Sequence, residues 1–331
     1  MLSQLVLSTR SLNSFSQLVL STLTSQLIKY LTADVFTSTR FGGNQLAVLP
    51  DARGLTGAQM LAIAREFNYS ESTFVLPAED PAHTRRLRIF TPGGEVPFAG
   101  HPTVGTAHVL AETGEIPLTG DETRMVFGEN VGPVPVLIRS SGGRPTFCQL
   151  SVAQLPEVGR PLPGRSEIAS AISLDEADLL DGDWRPQVVS CGLPFAFVPV
   201  RDRAAVARAR LRLDRWEEHL AGRAGEMVMV FAMDAEDPGH QVRARMFAPG
   251  VGVPEDPATG SACAALGGYL AKRDSRDGTL RWIVEQGYEM GRPSLLEVEV
   301  DRHGGEVTGV RVGGASVLVC EGRMHGLGPG S

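Results

Sequence analysis

One stretch of this sequence occurs twice. Residues 73–93 read TFVLPAEDPAHTRRLRIFTPG and residues 230–250 read VFAMDAEDPGHQVRARMFAPG, and they share eleven of twenty-one residues at an offset of 157. Two further blocks match in the same order: GNQLAVLP (43–50) with GLPFAFVP (192–199), and PTVGTA (102–107) with PATGSA (257–262). Two copies at a domain-sized period predict a duplicated domain and argue against a tandem repeat array.

Each copy has the pattern of a strand-rich unit that carries a helix. LRIF (87–90) and ARMF (244–247) are β-prone and follow an acidic, proline-containing turn. In the first copy, Met60, Ile63 and Phe67 recur at helical spacing, and Thr56 is a suitable N-cap. The sequence therefore predicts two similar α+β domains that face each other across a cleft, where small ligands usually bind.

Length and charge limit the classes of function. The 331 residues suffice for two domains of ordinary size, and a net charge of −7 without a basic run argues against a nucleic-acid surface. No apolar run approaches the roughly 18–20 residues of a membrane-spanning helix. Four widely spaced cysteines without metal-ligand spacing (Cys148, Cys191, Cys263 and Cys320) predict reduced thiols and a cytoplasmic protein.

The first 29 residues differ in composition from the rest of the chain. They contain no acidic residue, only Arg10 and Lys29 as bases, and the heptapeptide SQLVLST at both 3–9 and 16–22. We expect residues 1–29 to be a disordered or mis-started extension, with a targeting peptide as the alternative.

The turns before the two predicted Gly-Ser/Thr-Ala helices are the first candidate site. His101 precedes one such helix and Asp256 the other, and the small residues Gly105, Gly260 and Ser261 leave backbone amides open to an anion. If the copies are related by a pseudo-twofold axis, His101 and Asp256 occupy mirrored positions on opposite sides of a carboxylate ligand. Capping or turn roles for both residues are the alternative.

Glu71 is the second candidate. Strand alternation places it on one face with Thr73 and Val75, at the head of an otherwise apolar strand. Partial desolvation there raises a carboxyl pKa and suits proton transfer. The position 157 residues later is Val228, so only one copy carries the carboxylate. A solvated strand edge is the alternative for Glu71.

Other candidates carry weaker signals. Arg292 could bind a substrate carboxylate bidentately or form a structural ion pair. Cys263, among alanines, is expected in the core, and His83 and His240 are expected to be structural because both copies have them. The absence of GxGxxG, GxSxG and HExxH motifs argues against nucleotide binding, serine hydrolase and zinc protease chemistry.

Four segments together resemble the phenazine-biosynthesis PhzF-like family: RIFTPGGEVPFAGHPTVGTAHVL, SESTF, EDPATGSACAAL and QGYEMGRPS. The resemblance covers about residues 30 to 323. It implies the diaminopimelate-epimerase-like fold, with two domains related by pseudo-twofold symmetry, each a curved, mostly antiparallel sheet around a central helix. We therefore expect halves at residues 30–150 and 151–325, with the last strand able to return to the first domain.

The resemblance also implies roles for individual residues. The glutamate of its SE-x-TF motif corresponds to Glu71, the expected catalytic acid/base that moves a proton between two ring carbons. Gln45 replaces a proline found in many members, which would reshape the pocket wall. From the resemblance and the helix starts, the residues expected around the substrate are Gly43, Asn44, Gly100, His101, Asp256, Gly260 and Ser261.

These observations predict an isomerase that moves a proton within a small carboxylate-bearing substrate, such as a cyclic unsaturated acid, with no metal or organic cofactor. The resemblance adds a homodimer, and no nucleic-acid or membrane partner is expected. The two-cysteine racemisation of other enzymes with this fold is not expected, because Cys263 has no counterpart in the first copy. A non-catalytic small-molecule-binding protein, or an epimerase that uses Asp256 or His101 as second base, are the alternatives.

Overall fold

A computed structural model describes residues 27–326. The expected N-terminal extension lies outside the described residues apart from Leu27–Lys29, which begin the first strand. In chain order, the strands are β1 (Leu27–Val35), β2 (Asn44–Leu49), β3 (Glu71–Leu76), β4 (Arg85–Thr91), β5 (Gly94–Val96), β6 (Glu122–Glu129), β7 (Gly132–Ser141), β8 (Arg144–Ser151), β9 (Glu157–Val158), β10 (Gln187–Ser190), β11 (Pro194–Pro199), β12 (Val228–Ala232), β13 (Val242–Ala248), β14 (Val253–Asp256), β15 (Gly278–Gln286), β16 (Ser294–His303), β17 (Glu306–Gly314) and β18 (Ser316–His325). The α-helices of the described residues are α1 (Gly57–Phe67), α2 (Gly100–Glu112), α3 (Arg165–Ala171), α4 (Arg203–Arg208), α5 (Leu213–His219) and α6 (Gly260–Ala271).

Strand pairing follows one scheme in both halves of the chain. In the first half, β2 and β3 are parallel, β3 and β4 antiparallel, β4 and β6 parallel, and β6, β7 and β8 antiparallel. The second half repeats this order with β11, β12, β13, β15, β16 and β17. Antiparallel pairing of β8 with β17 joins the halves. The predicted α+β class is therefore confirmed, and the repeat in the sequence is matched by a repeat in the topology.

The strand that follows the sheet of each half pairs with the first strand of the other half's sheet. β9 follows β8 in the chain but pairs with β10, and β18 follows β17 but pairs with β1 over the length of that strand. The chain therefore crosses twice between the halves. The described strands form one continuous sheet, and each half's part of it is completed by a strand that comes after the other half's part in the chain.

The capped helix α1 forms as its sequence predicts. The Thr56 side chain accepts a hydrogen bond from the Gln59 amide, and the Gln59 side chain accepts one from the Thr56 amide. This capping box satisfies two amides that a helix start leaves unpaired. Met60 and Ile63 are buried against the sheet, as their spacing requires.

The helices α2 and α6 are enclosed by strands. α2 packs against β1, β2, β7 and β8, and α6 against β15, β16 and β17. Nearly every residue of both helices is buried, as expected of a helix that is apolar on all sides. Gly105 lies within α2 rather than at its start, and a Cβ there would meet Val35 and Leu46 at 2.5 and 2.6 Å. Within residues 27–326, no helix is long and apolar enough to cross a membrane.

The repeated acidic segment forms the same turn in both halves. The Asp80 and Asp237 carboxylates each accept a hydrogen bond from the amide two residues later, at 2.8 and 2.7 Å. Their carbonyl oxygens accept from the amides of His83 and His240, both at 2.9 Å. His240 also contacts the buried carboxylate of Glu285 through Nδ1 at 2.8 Å. The side-chain contact supports the structural role expected for His240, whereas the contact of His83 in this turn is made by its backbone.

Candidate active site

The starts of α2 and α6 are in direct contact. A Cβ on Gly100 would lie 2.8 Å from both the Cα of Gly260 and the amide nitrogen of Ser261, so only glycine fits there. Neither N-cap residue, Ala99 or Thr259, makes a side-chain capping hydrogen bond. Two helix starts with uncapped first-turn amides therefore meet at one place, where an anion would be stabilised by amides and helix dipoles.

Strand register shows which residues of the two halves correspond. Ile89 and Met246 are equivalent in the sequence repeat, and they pair with Val96 and Asp256 respectively. Asp256 therefore corresponds to Val96. The second half has a longer connection before this point, since the 3-10 turn Pro249–Val251 separates β13 from β14.

The helix starts give the same register, since Gly100 corresponds to Gly260 at an offset of 160 residues. His101 therefore corresponds to Ser261. The expectation that His101 and Asp256 occupy mirrored positions is wrong, because the sequence match of PTVGTA with PATGSA used an offset of 155. Both residues are nevertheless close to the helix starts.

Glu71, His101 and Asp256 form one cluster. Glu71 begins β3, and its Oε2 lies 3.5 Å from Nδ1 of His101. Asn44 Nδ2 donates to Asp256 Oδ1 at 2.8 Å and lies 3.3 Å from Nδ1 of His101. Asn44 also donates to the Ala258 carbonyl at 2.9 Å, which fixes its amide between the two halves.

Asp256 is held by hydroxyl donors that the sequence reasoning missed. Ser70 Oγ and Thr259 Oγ1 donate to its carboxylate at 3.1 and 2.5 Å. Gln286 Nε2 donates to its carbonyl oxygen at 2.7 Å. Ser70 and Gln286 are the first residues of the SESTF and QGYEMGRPS segments, so the motifs were a signal, although residue type alone was not.

The protonation of the two carboxyls differs for a physical reason. Burial raises the pKa of Glu71, and the charge of Asp256 raises it further. Burial also raises the pKa of Asp256, but hydrogen bonds from Thr259, Ser70 and Asn44 oppose this shift. The Glu71 carboxyl accepts no hydrogen bond from the described residues, so the shared charge rests preferentially on Asp256 and a proton on Glu71.

His101 is a neutral member of the cluster. Burial lowers the pKa of its imidazole to about 3, against a weaker raising effect of a backbone hydrogen bond at Gln45. A neutral imidazole beside Glu71 adds no positive charge that would lower the pKa of this carboxyl.

A cavity of about 200 Å³ opens beside this cluster. Glu71, Asp256 and Ser261 line it, and 19% of the Glu71 side chain is accessible. Gly100, His101, Gly260 and Asn44 lie behind these residues, in the contacts given above. The structure thus brings the predicted site residues together. Among residues 27–326, no group of three His, Cys, Asp or Glu side chains could hold a metal ion.

Gly43 and Asn44 are positioned by an ion pair. Arg292 donates to the Gly43 carbonyl at 2.8 Å and to the buried Asp34 carboxylate at 2.5 Å. Gly43 has a φ of 60°, and a Cβ there would lie 2.3 Å from the Val35 carbonyl oxygen. Of the two roles expected for Arg292, the geometry supports the structural ion pair, and Arg292 does not line the cavity.

Removal of Arg292 should be costly. We expect Arg292→Ala to lower the free energy of unfolding by about 3–5 kcal/mol, because Asp34 would remain buried without its partner. Urea unfolding of this variant beside Arg281→Ala, which breaks an exposed pair with Glu297, measures the difference. The exposed pair should be worth at most about 1 kcal/mol. Equal losses in both variants would contradict the role given to Arg292.

A buried carboxyl, Glu129, supports the start of α2. Its Oε1 lies 2.7 Å from Thr103 Oγ1, which also lies 2.8 Å from the Ala99 carbonyl oxygen. A hydroxyl has one proton to donate, so when Thr103 donates to Ala99, Glu129 must be the protonated donor. Strand register makes Glu129 equivalent to the neutral Gln286, which donates to Thr259 Oγ1 at 3.1 Å. A neutral side chain thus stands behind each helix start.

Glu129→Gln should change the pH dependence of stability. Burial raises the pKa of Glu129 from 4.5 to about 8, so between these values the native state keeps a proton that the unfolded chain releases. Stability therefore falls as pH rises through this window, by on the order of 3–5 kcal/mol from this group. Urea unfolding from pH 5 to 8 should show a smaller loss for Glu129→Gln than for the wild type or for exposed Glu122→Gln. Parallel curves would refute this assignment.

The described residues match known proteins over most of their length. The family model for phenazine biosynthesis-like proteins matches residues 33–322. An uncharacterised isomerase of Mesorhizobium japonicum is 40% identical over 306 residues, covering 90% of this chain and 99% of that protein. The trans-2,3-dihydro-3-hydroxyanthranilate isomerase of Pseudomonas aeruginosa is 34% identical over 299 residues, covering 90% and 99%. These relatives are named isomerases, which is the enzyme class that the sequence predicted.

Solved structures agree with this family. A Bacillus anthracis phenazine biosynthesis protein of the PhzF family has a TM-score of 0.81 and 27% identity, covering 90% of this chain and 99% of that one. A hydroxyproline epimerase of Agrobacterium vitis has a TM-score of 0.61 and 15% identity, covering 90% and 91%. The second likeness shows a shared fold alone.

Proposed function

The chain belongs to the phenazine biosynthesis-like protein family, and we propose that it is a cofactor-independent isomerase that moves a proton within a small carboxylate-bearing substrate. The carrying observation is the Glu71 carboxyl, enclosed at one end of a cavity beside Asp256 and the two helix starts. Relatives named as isomerases support the reaction class.

The helix starts would hold the substrate carboxylate. The first-turn amides of α2 and α6 converge where Gly100 meets Gly260, and the Ser261 hydroxyl lies beside them on the cavity wall. Because the described residues that line the cavity include no Lys, Arg or His, these amides and dipoles are the available anion donors.

Glu71 would transfer the proton. In its ionised form it takes a proton from one substrate carbon, and the electron pair of the broken C–H bond moves into the adjacent unsaturated system. The protonated Glu71, whose partly accessible carboxyl exchanges its proton with solvent, then delivers a proton to a second carbon, so the double bond shifts and the enzyme regains its starting state. A carboxyl with a raised pKa is a stronger base when ionised and a competent acid when protonated.

Solvent deuterium exchange tests this function. The protein is incubated in D2O with a series of cyclic unsaturated acids, and NMR follows both deuterium incorporation and migration of the double bond. We expect deuterium at the carbon that receives the proton. Binding without exchange for every acid in the series would instead favour a non-catalytic binding protein.

An epimerase is the second candidate, because two carboxyls, Glu71 and Asp256, line the same cavity. One could remove a proton from a stereocentre while the other returned one to the opposite face. Chiral chromatography of the product separates the candidates, since epimerisation inverts a centre without moving a double bond.

The expected homodimer, cytoplasmic location and division of the chain at residue 150/151 also belong to this proposal. All four cysteines are free thiols, which fits a reducing compartment. The proposed division falls one residue before the end of β8. Light scattering after size exclusion measures the oligomeric state, and a mass of 35.4 kDa would contradict the dimer.

A further inference from the structure

The cavity has two chemically different ends. Its titratable acids, Glu71 and Asp256, share one end, because both lie close to His101 and Asn44. Ser70 and Thr259 donate their hydroxyl protons to Asp256, which places them at the same end. The acidic end is therefore also the polar end.

The walls of the remainder are apolar and come from both halves. The residues that form them include Val96, Phe98, Val131, Met227, Met246 and Val253. Met227 and Met246 are buried, so their side chains face the cavity rather than bulk water. A ligand that fills this part exchanges its hydration for contacts with hydrocarbon and thioether groups.

A polar substituent would find few partners there. The Thr91 hydroxyl accepts hydrogen bonds from the amides of Gly93 and Gly94 at 3.1 and 3.2 Å, and it donates to the Gly94 carbonyl at 3.2 Å. The hydrogen-bonding capacity of the Thr91 hydroxyl is therefore used within its own hairpin. Gln154 and the thiol of Cys191 are the other polar side chains of this part. Gln154 is exposed, and a thiol is only a weak donor. A buried hydroxyl or ammonium group would lose water without replacement, which lowers affinity.

The apolar wall continues outward to the cavity rim. Leu193, in the turn between β10 and β11, is 41% exposed, and Val251, between β13 and β14, is 40% exposed. Both line the cavity. Exposed apolar side chains on a cavity rim are typical of a surface that a ligand covers.

We propose that the substrate of this chain is an amphipathic acid, whose carboxylate lies at the helix starts and whose alkyl or aryl substituent lies along the apolar wall between Met246 and Leu193. The position of the carboxylate rests on the proposed function. The substituent is assigned from the wall, and a polar amino or hydroxyl group at that place is disfavoured.

Saturated acids test this assignment without turnover. Isothermal titration calorimetry compares cyclohexanecarboxylate with its trans-4-ethyl and trans-4-amino derivatives, none of which can undergo a double-bond shift. We expect the 4-ethyl derivative to bind about tenfold more tightly than cyclohexanecarboxylate, because two more carbons are buried. The 4-amino derivative should bind more weakly than cyclohexanecarboxylate. Binding of the 4-amino derivative that equals or exceeds that of cyclohexanecarboxylate would overturn the proposal.

Rim variants locate the substituent. Leu193→Ser and Val251→Ser change exposed positions, so the fold should be retained, and each should weaken the ethyl acid about three- to tenfold while sparing the parent. Leu213→Ser, exposed in α5 away from the cavity, is the matched control. Unchanged selectivity in both rim variants, or no binding of any of the three acids, would refute the proposed substrate class. Deuterium exchange with other acids would still support the isomerase, so the two failures are distinguishable.

Discussion

Glu71→Gln is expected to lower the rate of solvent deuterium exchange by about 10³-fold, within the range that a positioned acid/base contributes. Glutamine keeps the shape of the side chain but can neither accept nor deliver a proton. Because the helix starts are untouched, binding of an unreactive acid should change little. In the wild type, the exchange rate should rise with pH through the raised pKa of Glu71, since the ionised form is the base.

The matched control is Glu66→Gln, an exposed carboxyl in α1 that does not line the cavity. It should exchange at the wild-type rate. Exchange by Glu71→Gln within a factor of about three of the control would exclude Glu71 as the proton carrier, because that loss lies far below the usual acid/base contribution.

Gly100→Ala should damage both stability and activity. Its Cβ would lie 2.8 Å from backbone atoms of Gly260 and Ser261, so the starts of α2 and α6 must separate. Overpacking of this kind costs about 1–3 kcal/mol or more. Displacement of the anion donors by part of an ångström should lower exchange by about 100-fold.

Gly94→Ala controls for the change of residue type. A Cβ at Gly94 meets nothing within 4 Å, and Gly94 lies in the hairpin beside the cavity. This variant should unfold and exchange like the wild type. If Gly100→Ala behaved in the same way, close contact of the two helix starts would not be required for the reaction.

The duplication in the sequence predicted most of the architecture, because the repeated elements are specified by local sequence patterns. Acidic turns, short apolar strands and the capped helix from Thr56 depend on neighbours within a few residues, and they form where the sequence places them. The comparison of Glu71 with Val228 is wrong by one residue. Strand register makes Val228 equivalent to Ser72, and Glu71 therefore corresponds to Met227. Local pattern was sufficient for the turns, the strands and the capped helix.

The prediction from the sequence was wrong where the two halves differ in length. The added 3-10 turn at Pro249–Val251 moves the second helix start three residues further along the chain than the 157-residue offset predicts. The chance similarity of PTVGTA and PATGSA at an offset of 155 concealed this shift. Ser70, Gln286 and Glu129 were missed for another reason. A hydroxyl, an amide or a buried acid acquires its role from long-range contacts, such as that of Ser70 with Asp256 across 186 residues.

The pairing of β18 with β1 has a consequence for synthesis. As the chain leaves the ribosome, β1 can pair with β2, but its other edge stays open until residues 316–325 have been made. An unpaired edge is a template for association with other chains. The nascent first half is therefore expected to depend on chaperone protection throughout translation, and a chain released before residue 316 should aggregate rather than fold.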